Sequence, residues 1–175
     1  MEMAILTTAR SGEVRGMRWD ELDLNAEAPL WRIPAERMKM ANEHLVPLSR
    51  QAVAILERMR PLSGDGALVF PSPSKPKEPL TANALLMALW RMGYAKGEIT
   101  MHGFRATFST TLNELGHNPD VIERALAHLP ADKVRAAYHR AQYLDERRKL
   151  LQGWADMIDG RRAGGGVVPI RRRAN

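Results

Sequence analysis

The feature that most limits the fold of this chain is a change of apolar period between residues 30 and 48. Leu30-Trp31-Arg32-Ile33-Pro34 and His44-Leu45-Val46-Pro47-Leu48 are short apolar runs joined by a polar stretch from Ala35 to Glu43. They read as a β-hairpin with a long connection, in which Pro34 and Pro47 mark strand ends. The remaining apolar pattern is largely helical, so the hairpin has to be accommodated among helices.

Before the hairpin, Met1 to Thr8 reads as the end of a helix. Ser11 is placed to cap a short helix carrying Glu13, Val14 and Met17, with Trp19 and Leu22 as core contacts. After it, Ser49 caps a helix whose stripe is Val53, Ile55, Leu56 and Met59, ending at Pro61. Residues 62–80 are rich in Ser, Gly, Pro and Lys and read as a loop around the apolar piece Ala67 to Phe70. Thr81 is expected to cap a helix turning Leu85, Leu86, Leu89, Trp90 and Met92 inward. A further helix runs from His102 to Leu115, stopped by Gly116. Asn118-Pro119-Asp120 opens the next, followed by Val121, Ile122, Ala125 and Leu126. Pro130 opens a short helix to Tyr138. Residues 143–158 form a last amphipathic helix through Leu144, Leu150, Leu151, Trp154 and Ile158. The expected class is α+β, mainly α-helical, with a small antiparallel β-sheet near the N-terminus. No internal repeat interrupts this reading.

The 175 residues amount to one domain. With no cysteine, disulfides, thiolate zinc sites, iron–sulfur clusters and cysteine nucleophiles are excluded. No apolar run reaches the ~18 residues of a membrane helix, and no signal segment opens the chain. The expectation is a cytoplasmic protein with no membrane partner. The net charge is +6, but Arg161, Arg162, Arg171, Arg172 and Arg173 fall in the acid-free stretch 161–175, which reads with Gly164-Gly165-Gly166 as a flexible basic tail. Residues 1–160 are nearly neutral. Bulk charge is thus weak evidence for a nucleic-acid partner, and the position of individual residues has to carry the argument.

On the helix from His102, Phe104, Phe108, Leu112 and Leu115 fall on one face at ~100° per residue, while His102 and Arg105 share another. One His-x-x-Arg pair is ordinary for a polar face. Its company is less ordinary: Arg10 in Thr8-Ala9-Arg10-Ser11-Gly12-Glu13, Lys39 within Arg37-Met38-Lys39-Met40, His128 in Ala127-His128-Leu129, and Tyr138 ten residues later. His44, His117 and His139 show no metal-ligand spacing and read as scattered surface histidines, so no metal site or cofactor is expected.

The ordered set of two arginines, a lysine, two histidines and a tyrosine resembles the active site of the tyrosine recombinases, the phage integrase family. Pro34-Ala35-Glu36-Arg37-Met38-Lys39-Met40, His44-Leu45-Val46-Pro47-Leu48-Ser49, His102-Gly103-Phe104-Arg105-Ala106-Thr107 and Val134-Arg135-Ala136-Ala137-Tyr138 look like the wording of prophage and genomic-island integrases. The resemblance runs from about Leu6 to Ile158. It implies residues 1–160 as the catalytic domain, 161–175 as the tail, and the family's N-terminal core-binding domain absent. It also implies double-stranded DNA attachment sites as substrate, and a homotetramer on DNA at full length with a monomer for this piece alone.

Cutting a phosphodiester without metal or ATP needs cationic donors around the phosphoryl oxygens, and arginine's planar fork suits them. The resemblance makes Arg10 and Arg105 that clamp and Tyr138 the nucleophile forming a 3′-phosphotyrosine. Lys39 becomes the general acid for the leaving 5′-oxygen, and His102 an acid/base group near the tyrosine. His128 becomes a donor to the phosphate, and Glu13 the acid that orients the site. Tyr143 is the alternative nucleophile. The family often has glycine where this chain has Ala9 and Ala127. Three other readings stay open at this point: relaxation like that of a type IB topoisomerase, an inactive DNA-binding remnant, and a purely structural helical domain. The last helix is expected to dock on a neighbouring subunit or fold back.

Overall fold

The computed structural model describes residues 1–128 and 143–164. The helix expected from Pro130 to Tyr138, together with Tyr138, His139 and Arg171–Arg173, lies outside the described residues.

Helix α1 (Glu2–Thr7) ends at Thr8, which is left-handed with φ 55°. Helix α2 (Ser11–Arg15) follows at once. Its cap is Arg10 and not Ser11, because the Glu13 carboxylate reaches back to the Arg10 amide at 2.7 Å and fixes the chain entry one residue earlier. A 3-10 turn at Trp19–Glu21 leads into β1 (Leu22–Asp23), β2 (Leu30–Ile33) and β3 (His44–Pro47). These form an antiparallel sheet in the order β1-β2-β3, with Trp31 opposite Val46 and Ile33 opposite His44. Trp31, Ile33 and Val46 are wholly buried while Arg32 faces outward, the alternation of a sheet covered on one face. The hairpin is therefore present, with a third short strand that the sequence pattern had not marked. A second 3-10 turn, Ala35–Arg37, begins its long connection.

Helix α3 (Arg50–Ser63) is capped by the Ser49 hydroxyl and continues through Pro61 instead of ending there. The apolar piece Ala67 to Phe70 is an edge contact: the Val69 amide donates to Met17 and the Trp19 amide to Ala67. It is followed by a small hairpin, β4 (Pro71–Ser72) and β5 (Lys75–Pro79), where the sequence suggested loop alone. Helix α4 (Ala84–Arg91) is capped at Asn83, two residues beyond the expected Thr81. Only Leu85 and Leu89 are buried; Trp90 and Met92 are exposed, since an eight-residue helix held at one i,i+4 pair leaves its other faces open.

Helix α5 (Met101–Glu114), capped by Thr100, buries Arg105, Phe108 and Leu112. This corrects the expected helical face. Arg105 belongs to the core-facing stripe at i, i+3 and i+7, and Leu115 is exposed. Helix α6 (Pro119–Ala125) has the expected Asn118 cap and Pro119 at its first position. The last helix, α7 (Leu144–Arg162), runs past Gly160 and takes in Arg161 and Arg162, the latter paired with Glu2 at 2.7 Å. It folds back on its own chain. Leu150, Leu151, Trp154 and Ala155 are buried, the Trp154 indole N–H donates to the Ile5 carbonyl at 3.0 Å, and its ring meets Phe108 edge-on at 5.3 Å. Thus α1, α5, α6 and α7 close around one core that also takes the inner face of the sheet. No described helix is long and apolar enough to cross a membrane.

Candidate active site

The site is built where α1 ends, α2 begins, α5 passes beneath and α6 ends. Arg105 is 7% exposed. A guanidinium so placed needs acceptors, and it finds two helix-terminal carbonyls. One Nη donates to the Thr8 carbonyl just past α1, the other to the Leu126 carbonyl just past α6 at 2.7 Å. The second also lies 3.3 Å from His128 Nε2. Burial first, then the nearby Arg10 charge, pushes the Arg105 pKa down, with Glu13 and Glu123 opposing. The Arg10 charge is thus close enough to Arg105 to oppose its protonation.

Arg10 is half-buried and paired with the buried Glu13 at 2.9 Å. The same carboxylate that caps α2 through the Arg10 amide also holds its side chain. His128 Nδ1 lies 2.7 Å from Glu123 Oε2. If Nδ1 donates there, Nε2 of the neutral ring is an acceptor for Arg105, and Nε2 of the protonated ring is a donor. The backbone is left-handed on both sides of this cluster, at Thr8 and at Ala127 (φ 51°). Ala127 is a position where glycine would be unstrained, whereas near Arg10 the strained residue is Thr8 and not Ala9.

The other expected residues are placed less tightly. Lys39 is exposed on the Met38–Ala41 turn of the β2–β3 connection. Its neighbours Met38 and Met40 line a small cleft with Arg10, His44, Arg124 and Ala127, so the turn borders a cleft that Arg10 also lines. His102 is exposed on the first turn of α5, one turn before Arg105. Tyr143 is half-buried against the core at the start of α7, itself left-handed with φ 47°. The structure thus brings together Arg10, Glu13, Arg105 and His128, and brings the turn that carries Lys39 to a cleft shared with Arg10. Among the described residues no group of three or more His, Asp or Glu side chains could hold a metal.

Four residues of this region were not singled out by their sequence pattern. His44, expected at the surface, is 4% exposed; burial and the charges of Arg147 and Arg124 lower its pKa to about 3. Arg147 is fully buried, with its pKa lowered to about 9 by burial and then by Arg124, and it donates to the Leu45 carbonyl. Arg124 lines the cleft, and Glu123 holds His128. Only Glu123 left a local signal, as an acid five residues before the histidine on the preceding helix.

Residues 1–144 match the model of the phage integrase family. The chain is 48% identical over 164 residues to prophage integrase IntA of Escherichia coli (strain K12), covering 94% of this chain and 39% of that protein. It is 47% identical over 167 residues to prophage integrase IntZ of the same organism, covering 95% and 40%. It is 42% identical over 174 residues to the integrase of Enterobacteria phage P4, covering 91% and 39%. The chain therefore spans about two fifths of the length of these relatives. No solved structure matches it significantly. A match over four fifths of its residues, with identities above 40% to several integrases, establishes that the chain belongs to the phage integrase family.

Proposed function

We propose that this chain is the catalytic domain of a site-specific tyrosine recombinase that integrates or excises mobile DNA. The observation that carries the reading is the convergence of Arg10 and Arg105, each held by a different part of the fold, with His128 against Arg105. Such a pair offers fixed cationic donors to the non-bridging oxygens of one phosphate, and their placement before substrate arrives is what stabilises charge in a phosphoryl-transfer transition state. The tyrosine oxygen attacks phosphorus, its proton passing to a base for which His102 is the candidate. The bond from phosphorus to the 5′-oxygen breaks, and Lys39 gives that oxygen its proton. The 3′-phosphotyrosine keeps the ester for rejoining, so the cycle needs neither ATP nor a metal. Tyr138 is the proposed nucleophile. Double-stranded attachment-site DNA is the proposed substrate, and a tetramer of the full-length protein on two such sites the proposed assembly.

The test is covalent trapping on nicked duplexes, read on a denaturing gel, with Tyr138→Phe and Tyr143→Phe beside the wild type. A shifted band that disappears only in Tyr138→Phe is expected. A band that disappears only in Tyr143→Phe moves the nucleophile five residues on. Salt-sensitive binding with no adduct points instead to a DNA-binding remnant.

A further inference from the structure

Arg37 stands two residues before Lys39, and its guanidinium joins three pieces of the fold. One Nη donates to both carboxylate oxygens of Glu21, at the end of the first 3-10 turn. The other donates to the Glu13 carbonyl at 2.7 Å. Glu21 is 8% exposed and also accepts from the Trp31 indole N–H at 3.0 Å and from the Arg18 amide at 3.2 Å. The carboxylate is thus fixed from the strand side before Arg37 reaches it. Space for the guanidinium comes from Gly16: a Cβ there would lie 2.8 Å from Arg37 Nη2.

The main chain passes this anchoring on to Lys39. The Arg37 amide donates to Pro34 and the Met38 amide to Ala35, both at 3.0 Å, and the Met38 side chain is buried. The Ala41 amide then closes the turn onto Met38 at 3.0 Å, leaving Lys39 exposed within it. Glu13 faces both ways, with its carboxylate on Arg10 and its carbonyl on Arg37.

We infer that Arg37 is a positioning residue for proton donation: it fastens the Lys39 turn to α2, and so sets the donor's place relative to the arginine pair. The inference rests on the reading of Lys39 as general acid. Only the Glu21 half of this ion pair is buried, so the pair is a poor source of net stability compared with apolar packing, but it fixes one geometry, because Glu21 left alone is an uncompensated charge.

A leaving-group experiment separates this role from simple structural support. The probe is a nicked duplex with randomised flanks, carrying either oxygen or sulfur at the 5′-bridging position. With sulfur, the tyrosine oxygen bonds to phosphorus, the P–S bond breaks, and the electron pair departs on a 5′-thiolate that needs no proton. Defects in proton donation vanish on this substrate, while defects in the phosphate clamp persist. Lys39→Ala is expected to cleave the oxygen substrate ~100-fold slower than wild type and the sulfur substrate within about threefold of it. Arg37→Ala is expected to follow the same pattern with at least a ~10-fold loss on oxygen. Gly16→Ala, which displaces the guanidinium but leaves Glu21 with a cation nearby, is expected to follow it more weakly and decides the matter if Arg37→Ala does not fold. Arg10→Ala is expected to be slow on both substrates. Arg37→Ala and Gly16→Ala equally slow on both, or slow on neither, overturns the positioning role while Lys39 keeps its own. Absence of any wild-type adduct, or no sulfur rescue of Lys39→Ala, removes the reading of the active site and this inference with it.

Discussion

Arg105 lies buried between two backbone carbonyls, whereas Lys39 stands on an exposed turn between a buried and an exposed methionine. Both are proposed to act on the same phosphate, yet the fold treats them in opposite ways. A phosphate clamp would need its donors already aimed, and Arg105 is locked between the ends of two helices. A proton donor would have to reach a leaving atom, and the Lys39 side chain is exposed while the foot of its turn is fixed. The Arg105 side chain is therefore expected to carry stability, and the Lys39 side chain itself to carry almost none.

The sharpest way to break this comparison is Arg105→Ala. Cleavage is expected to fall by ~10³-fold, as for loss of a preorganised donor, and stability by about 2–4 kcal/mol because two buried carbonyls lose their partner. Single-turnover trapping and urea denaturation measure the two effects, and an unchanged urea midpoint would separate the clamp from the core. Lys39→Ala is the complement. Activity is expected to drop ~10²-fold or more while stability stays within about 0.5 kcal/mol.

His44 sharpens the comparison through pH. Burial, then Arg147 and Arg124, hold its folded pKa at about 3, against about 6.5 for an ordinary histidine. Between those values the unfolded chain binds a proton that the folded chain does not. The stability this ring permits is therefore complete above about pH 6.5 and declines as pH falls toward 3, by about 1.4 kcal/mol per unit. Between pH 7 and pH 5 the wild type is expected to lose roughly 2 kcal/mol more than His44→Gln, measured from paired urea curves. Equal losses would mean that the histidine titrates normally. The smallest effect is Ala127→Gly, which relieves the left-handed residue beside His128 and is expected to add about 0.5 kcal/mol without changing cleavage. A thermal melt checks it.

What could be read from the sequence was what is local. The β2–β3 hairpin followed from a change of period, the Asn118-Pro119 helix start from its capping chemistry, and the Arg10–Glu13 pair sits at i,i+3 on one short helix. The burial of Arg105 was not legible, since polarity alone places a guanidinium outward and its acceptors come from distant parts of the chain. His44 was misjudged for the same reason: the cations around it come from α6 and α7. The β4–β5 hairpin lacks any apolar alternation, because every residue of β5 is exposed, and a proline-rich strand with no buried face looks like loop.

The two carbonyls that receive Arg105 lie 97 and 21 residues from it in sequence. The longer of these contacts closes only when the first helix has met the middle of the chain, an event that loop-closure entropy places late in folding. A partly folded chain, on the ribosome or after damage, would carry the same arginines without holding them together. On the proposed reading, competence to grip a phosphate is thereby tied to completion of the domain, because the arginine pair is assembled only once the distant parts of the chain have met.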